Sequence, residues 1–178
     1  MDKGIAFIAL NVRNNSSKYI FKETNMENTT ITPFNLIGIE IRTNTKGIVE
    51  LATDMQNLWG KFIAQNIAGQ IPNKIDNTVY AVYTDYEGDY TKPYTAFIGC
   101  KVAEVDSIPD SMVARSFHGG KYAKYIAKGN LLQGSVVNAW KHIWSLNLDR
   151  KYTADFEIYG EKAANYLDAE VEILVGIN

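Results

Sequence analysis

The segment 78–105, TVYAVYTDYEGDYTKPYTAFIGCKVAEV, holds two runs of β-branched and aromatic residues, Thr78 to Tyr86 and Tyr94 to Val105, separated by the polar, Gly-containing stretch Glu87 to Pro93. Such side chains crowd the turns of a helix but pack well on a pleated surface, so the spacing predicts two strands joined as a hairpin. Upstream, Ile48, Leu51, Ala52, Met55, Leu58, Trp59, Phe62 and Ile63 recur at three- and four-residue steps until Gly69 and Pro72 break the pattern. That is the mark of an amphipathic helix. Further upstream still, Phe34 to Thr43 carries Leu36, Ile37, Ile39 and Ile41 and reads as a strand. The order over this half is β-α-β-β.

Downstream the order recurs. Pro109 to Phe117 reads as a strand, Leu131, Leu132, Val136, Val137, Trp140, Ile143 and Trp144 mark a helix, and Phe156 to Tyr159 and Ala169 to Val175 read as two more strands. Landmarks repeat at related offsets: 73 residues from Arg42 to Arg115, 76 from Tyr83 to Tyr159, 77 from Gly99 to Gly176 and 81 from Trp59 to Trp140. The offset grows where His118 to Asn130 is read as a lengthened strand-to-helix connection. An internal duplication of this kind predicts an α+β fold of two β-α-β-β units with pseudo-two-fold symmetry: an antiparallel sheet, two helices on one face and a cleft at the pseudo-dyad.

At 178 residues, 46% hydrophobic and 21% charged, the chain suits one globular domain. Its aromatic content of 12% argues against a disordered or fibrous class. With 20 acidic against 18 basic residues and no basic tract, it lacks the electrostatic footprint of a nucleic-acid binder, and direct DNA binding is not expected. No apolar run reaches the 18 to 20 or so residues that span a bilayer. The apolar run from Gly4 to Val12 is closed too early, by Asn11 and Arg13, to serve as a signal-peptide core. The single Cys100 forms no intrachain disulfide, and the expected compartment is the cytoplasm. Residues 1–30, Asn-rich beyond Arg13, read as an N-terminal extension with one strand at Ile5 to Leu10 and a linker; residues 31–178 form the domain. Oligomeric state is not legible from the sequence.

The chemistry-bearing residues are few. His118 and His142 lack the i, i+4 spacing and nearby cysteines of a zinc site, so no metal is expected. His118-Gly119-Gly120-Lys121 lacks phosphate-loop and dinucleotide spacings, no serine nucleophile elbow occurs, and no cofactor is implied. Cys100, within a strand pattern, reads as a buried inert thiol. In Phe156-Glu157-Ile158-Tyr159, alternation places Glu157 on the same face as Tyr159, with Ala81 and Tyr83 at the matching places of the other half. Two readings of Glu157 stand: a solvated strand residue, or, if its face looks toward the helices, a carboxylate in an aromatic chamber whose burial raises its pKa unless a cation neutralises it. Rings around one carboxylate attract organic cations by ~0.5 to 2 kcal/mol each.

Several stretches together resemble the integron-associated effector-binding proteins, which group with the gyrase-inhibitor-like and AraC-type effector-binding domains. They are Leu58-Trp59-Gly60-Lys61-Phe62, Val82 to Thr91 with its Tyr-Asp-Tyr-Glu hairpin, Tyr94 to Cys100, Gly119-Gly120-Lys121-Tyr122, and Asp155-Phe156-Glu157-Ile158-Tyr159. The resemblance covers residues 30 to 178. It implies the duplicated fold, and a glutamate on the penultimate strand, here Glu157, that contacts cationic or amphiphilic drugs in an aromatic cleft. On that reading Glu157 supplies charge, Trp59, Tyr83, Trp140 and Tyr159 supply stacking walls, Tyr94 and Phe97 are added contacts, and no residue is catalytic. Relatives often carry a helix-turn-helix domain ahead of this module, so the chain reads as a free-standing binder of a small amphiphilic cation. The resemblance leaves two alternatives open: a hydrolase of strained, reactive small molecules with Glu157 as general base, and a protein-binding inhibitor.

Overall fold

We describe a computed structural model covering residues 26–43 and 48–178. The expected strand at Ile5 to Leu10 lies outside the described residues. The elements are β1 (Glu27–Ile31), β2 (Phe34–Arg42), α1 (Ile48–Ala64), α2 (Ile67–Gln70), β3 (Lys74–Thr84), β4 (Thr95–Val102), β5 (Val113–Phe117), β6 (Gly120–Gly129), α3 (Ser135–Ser145), β7 (Ala154–Tyr159) and β8 (Ala169–Gly176). They build an eight-stranded sheet in the order β1-β6-β8-β7-β3-β4-β2-β5, every neighbouring pair antiparallel. Pairing β1 with β5, β2 with β6, β3 with β7 and β4 with β8 maps this order onto its own reverse. The duplication is therefore present, with its pseudo-dyad at the β3·β7 seam, where Ala81 stands opposite Glu157.

One assignment is corrected. The first strand of the second unit is β6, which sequence reading took for part of a connection, whereas Val113 to Phe117 is the counterpart of β1. β6, GKYAKYIAKG, is rich in Ala and Lys, weak strand formers, and is held extended by pairing with β8 on one side and β1 on the other. β1 itself crosses to the second half and β5 to the first. In the β1·β6 pair Ile31 stands opposite Gly120, and in the β2·β5 pair Phe34 stands opposite Phe117, so both pairs keep one register and form a single ribbon. The ribbon turns at Gly119, φ 74°, where a side chain would collide with the Ile31 carbonyl. A domain boundary at residue 30 would cut β1, so the sheet begins no later than Glu27.

Strand alternation divides the core in two. On one face α1 lies over β2 and β4 and α3 over β6, burying Leu58, Trp59, Phe62, Val136, Ala139, Trp140 and Ile143 against Ile37, Ile98, Tyr125 and Ile173. On the other face Leu36, Val82, Phe97, Phe117, Tyr122, Phe156 and Leu174 form a second cluster behind the ribbon. Each fully buried large apolar side chain contributes roughly 1.5–3 kcal/mol. β7 is buried on both faces, which sends Ala154, Phe156 and Ile158 to the rear and Asp155, Glu157 and Tyr159 toward the helices. No helix among the described residues is long and apolar enough to cross a membrane.

Candidate functional site

At the seam the sheet is roofed by one ring from each helix. Trp59 meets Tyr159 edge-on at 5.1 Å between ring centroids, and Trp140 meets Tyr83 edge-on at 5.6 Å, a crossed arrangement that follows the pseudo-dyad. Glu157 sits beneath them, 3% exposed. Its Oε1 accepts hydrogen bonds from the Tyr83 hydroxyl at 2.7 Å and the Trp140 indole Nε1–H at 2.6 Å, and its Oε2 accepts one from the Tyr159 hydroxyl at 2.7 Å. Burial raises the Glu157 pKa, and the three donors only partly offset this. Burial and the neighbouring carboxylate push the phenols of Tyr83 and Tyr159 well above the ordinary tyrosine value, so both remain donors at neutral pH. Tyr94, 5% exposed, extends the wall edge-on to Tyr83 at 5.8 Å.

Six of the seven residues singled out in the sequence, Glu157, Trp59, Tyr83, Trp140, Tyr159 and Tyr94, therefore come together. Phe97 does not. It pairs with Val82, whose side chain points away from the helices, and it is buried in the rear cluster among Leu36, Phe117 and Phe156. Its neighbours Ala96 and Ile98, like Cys100, belong to the core on the helix side of β4. Cys100 is buried beneath the helices, where desolvation pushes its pKa up to about 11. Among the described residues no group of three or more His, Cys, Asp or Glu side chains could hold a metal ion.

Sequence reading missed a second buried carboxylate. Asp155, 0% exposed, is on the Glu157 face two residues earlier and forms an ion pair with Arg150 at 2.6 Å. Its Oδ2 also accepts from the Tyr86 hydroxyl at 2.6 Å and its Oδ1 from the Gly176 N–H at 2.9 Å. The same alternation that flagged Glu157 could have flagged Asp155, but nothing in the spacing says which acid has a cation. The β3–β4 loop is tied at its base by Arg42, which donates to the Asp85 carbonyl at 2.6 Å, and by Arg115, which pairs with Glu40 at 2.8 Å and Asp85 at 3.1 Å. The loop's Tyr90 reaches over to stack on Trp144 of α3 at 5.2 Å.

This fold, with its two-helix roof over one sheet, matches a known family. The model of the integron-associated effector binding proteins aligns with residues 29–177. The chain belongs to that family. It is similar to an integron cassette protein from the mobile metagenome of Vibrio cholerae, with 26% identity and a TM-score of 0.68 over 87% of this chain and 97% of the other. The protein SAV2435, solved bound to tetraphenylphosphonium, has the same fold at 12% identity, with a TM-score of 0.68 over 87% and 94% of the two chains. A curated relative from Bacillus subtilis (strain 168), YobU, which bears the name of a transcriptional regulator, is 27% identical over 123 residues, 67% of this chain and 77% of its own. In this chain the buried Glu157 stands at the pseudo-dyad, on β7, which is penultimate in chain order and central in the sheet.

Proposed function

We propose that the chain binds lipophilic or amphiphilic organic cations in the aromatic cage around Glu157, as a cytoplasmic effector-binding module that sequesters or senses them without contacting DNA. One observation carries this reading. Of two carboxylates buried on the same strand face, Asp155 has Arg150, whereas Glu157 has three neutral donors and, among the described residues, no cation. An ionised carboxylate taken out of water without a counter-charge is unfavourable, and a soft organic cation supplies that charge while its apolar body meets the rings. The tetraphenylphosphonium held by a protein of the same fold supports this choice of ligand class. General-base catalysis needs a carboxylate lone pair aimed at water, and the three hydrogen bonds already on Glu157 favour binding over hydrolysis.

Glu157→Gln tests the reading, because it keeps the shape and removes the charge, with one acceptor oxygen replaced by an NH2 that can donate to the Tyr159 hydroxyl. Tryptophan quenching with matched cationic and neutral dyes should show cation affinity falling about ten- to a hundredfold, roughly 1.5–3 kcal/mol, with neutral dyes nearly unaffected. Trp140→Ala should weaken both kinds, since it removes stacking area. Cation affinity within about twofold of wild type in Glu157→Gln would rule the cage out as a charge-reading site.

A further inference from the structure

We infer that Arg150 forms an anion-accepting subsite beside the Glu157 cage, so that the ligands taken best carry one cationic centre and, on an aromatic arm, a carboxylate. This rests on the cage being a cation site. The ion pair between Arg150 and Asp155 is unequal. Both oxygens of Asp155 accept, from three donors on Arg150, Tyr86 and Gly176. Arg150, whose side chain is 6% exposed, uses only Nη2, and its Nε and Nη1 are buried and meet no acceptor among the described residues. A guanidinium carries five N–H donors, and buried donors left without acceptors are rare because they have given up water for nothing in return.

The surroundings restrict how a ligand reaches those donors. The Tyr152 ring lies 4.5 Å and the Tyr90 ring 5.7 Å from the guanidinium carbon, so rings cover it; the free N–H groups lie in the guanidinium plane, closed to solvent in this structure, and an acceptor meets them edge-on. Tyr152 takes a left-handed backbone, φ 53°, which is unusual for an aromatic residue and marks a conformation imposed by its surroundings. Tyr90 and Trp144 lie parallel, 4° apart, each more than a third exposed. Trp144 in turn stacks on Trp140, whose indole N–H holds Glu157. A ladder of rings thus runs from the buried carboxylate to the cover over the guanidinium. Asp155 and Glu157 lie two residues apart on one strand face, about 7 Å along the strand, which puts the guanidinium paired with Asp155 in the neighbourhood of the Glu157 cage. Asp155 already neutralises Arg150, so a second cation on the arm faces donors and gains nothing, whereas an acceptor satisfies them.

Three phosphonium probes of one shape test this on the full chain by titration calorimetry: tetraphenylphosphonium, its analogue with a carboxylate at the para position of one ring, and the analogue with a trimethylammonium there. The carboxylate probe should bind about tenfold tighter than tetraphenylphosphonium and the dication about tenfold weaker. In the double variant Arg150→Gln with Asp155→Asn, which removes both charges of the pair, the carboxylate preference should fall to within about twofold. Tetraphenylphosphonium binding with no carboxylate preference in wild type overturns the inference and leaves the cation reading standing. A preference that persists in the folded double variant also overturns it. Should that variant not fold, the wild-type affinity ratios decide. Failure of all three probes to bind removes the cation reading and this inference with it.

Discussion

Glu157 and Asp155 differ in partner rather than in burial, and that difference has a pH signature. Glu157 binds its proton more tightly folded than unfolded, because burial raises its pKa. From the ordinary glutamate value of about 4.3 upward to its raised value, the folded state therefore holds more protons, and the stability that Glu157 contributes is lost as pH rises through that window. Glu157→Gln removes this loss. Thermal melts from pH 4 to 8 should show the variant gaining on wild type as pH rises, by about 1.4 kcal/mol for each unit by which the pKa is raised. Cation binding has the opposite sign, since the ionised form is required, and weakens as pH falls through the raised value. A wild-type-minus-variant difference flat across this range would show that Glu157 has no raised pKa. Phe97, one register position away from Ala96 and Ile98, belongs to the opposite core, and nothing local announces which parity faces the helices.

Among the elements, α1, α3 and the two hairpin strands were legible because their side-chain periods match what they bury. β6 was not, because Lys124 and Lys128 and the small Ala123 and Ala127 give it no continuous apolar period; its extended state comes from pairing on both sides. β1 is mostly exposed and acts by covering the outer edge of β6. A chain beginning at Met26 should bind the same dyes with unchanged affinity. One beginning at Pro33 loses β1 and leaves an unpaired edge. It should melt several degrees lower and associate on concentration, as differential scanning calorimetry and light scattering would show. Equal melting temperatures for the two shortened chains would mean that β1 contributes nothing to the sheet.

Over the whole molecule the pseudo-dyad matters most. It brings Trp59 and Trp140, from separate units, over a single carboxylate, because Ala81 is the residue opposite Glu157 and leaves room that a second acid would contest. A ligand held by both units stabilises them together. A cation at a hundred times its dissociation constant should add about 2.7 kcal/mol, a rise of about 5–10 °C in melting temperature for a chain of this size. A neutral probe at the same concentration, or Glu157→Gln with the cation, should shift the melt much less. Equal shifts for charged and neutral probes would place the stabilisation in apolar contact alone.

The sequence by itself determined the α+β class, the duplicated order of a helix and a hairpin, and the pairing of Glu157 with Tyr159 on one strand face, since each depends on side-chain period or on repetition along the chain. Only the tertiary structure decided which parity of β4 and β7 faces the helices, that β1 and β5 cross between the halves, and that Arg150 goes to Asp155 rather than to Glu157. Those outcomes rest on long-range register and on competition for one cation between two acids of the same strand. Neither leaves a periodic trace in the chain.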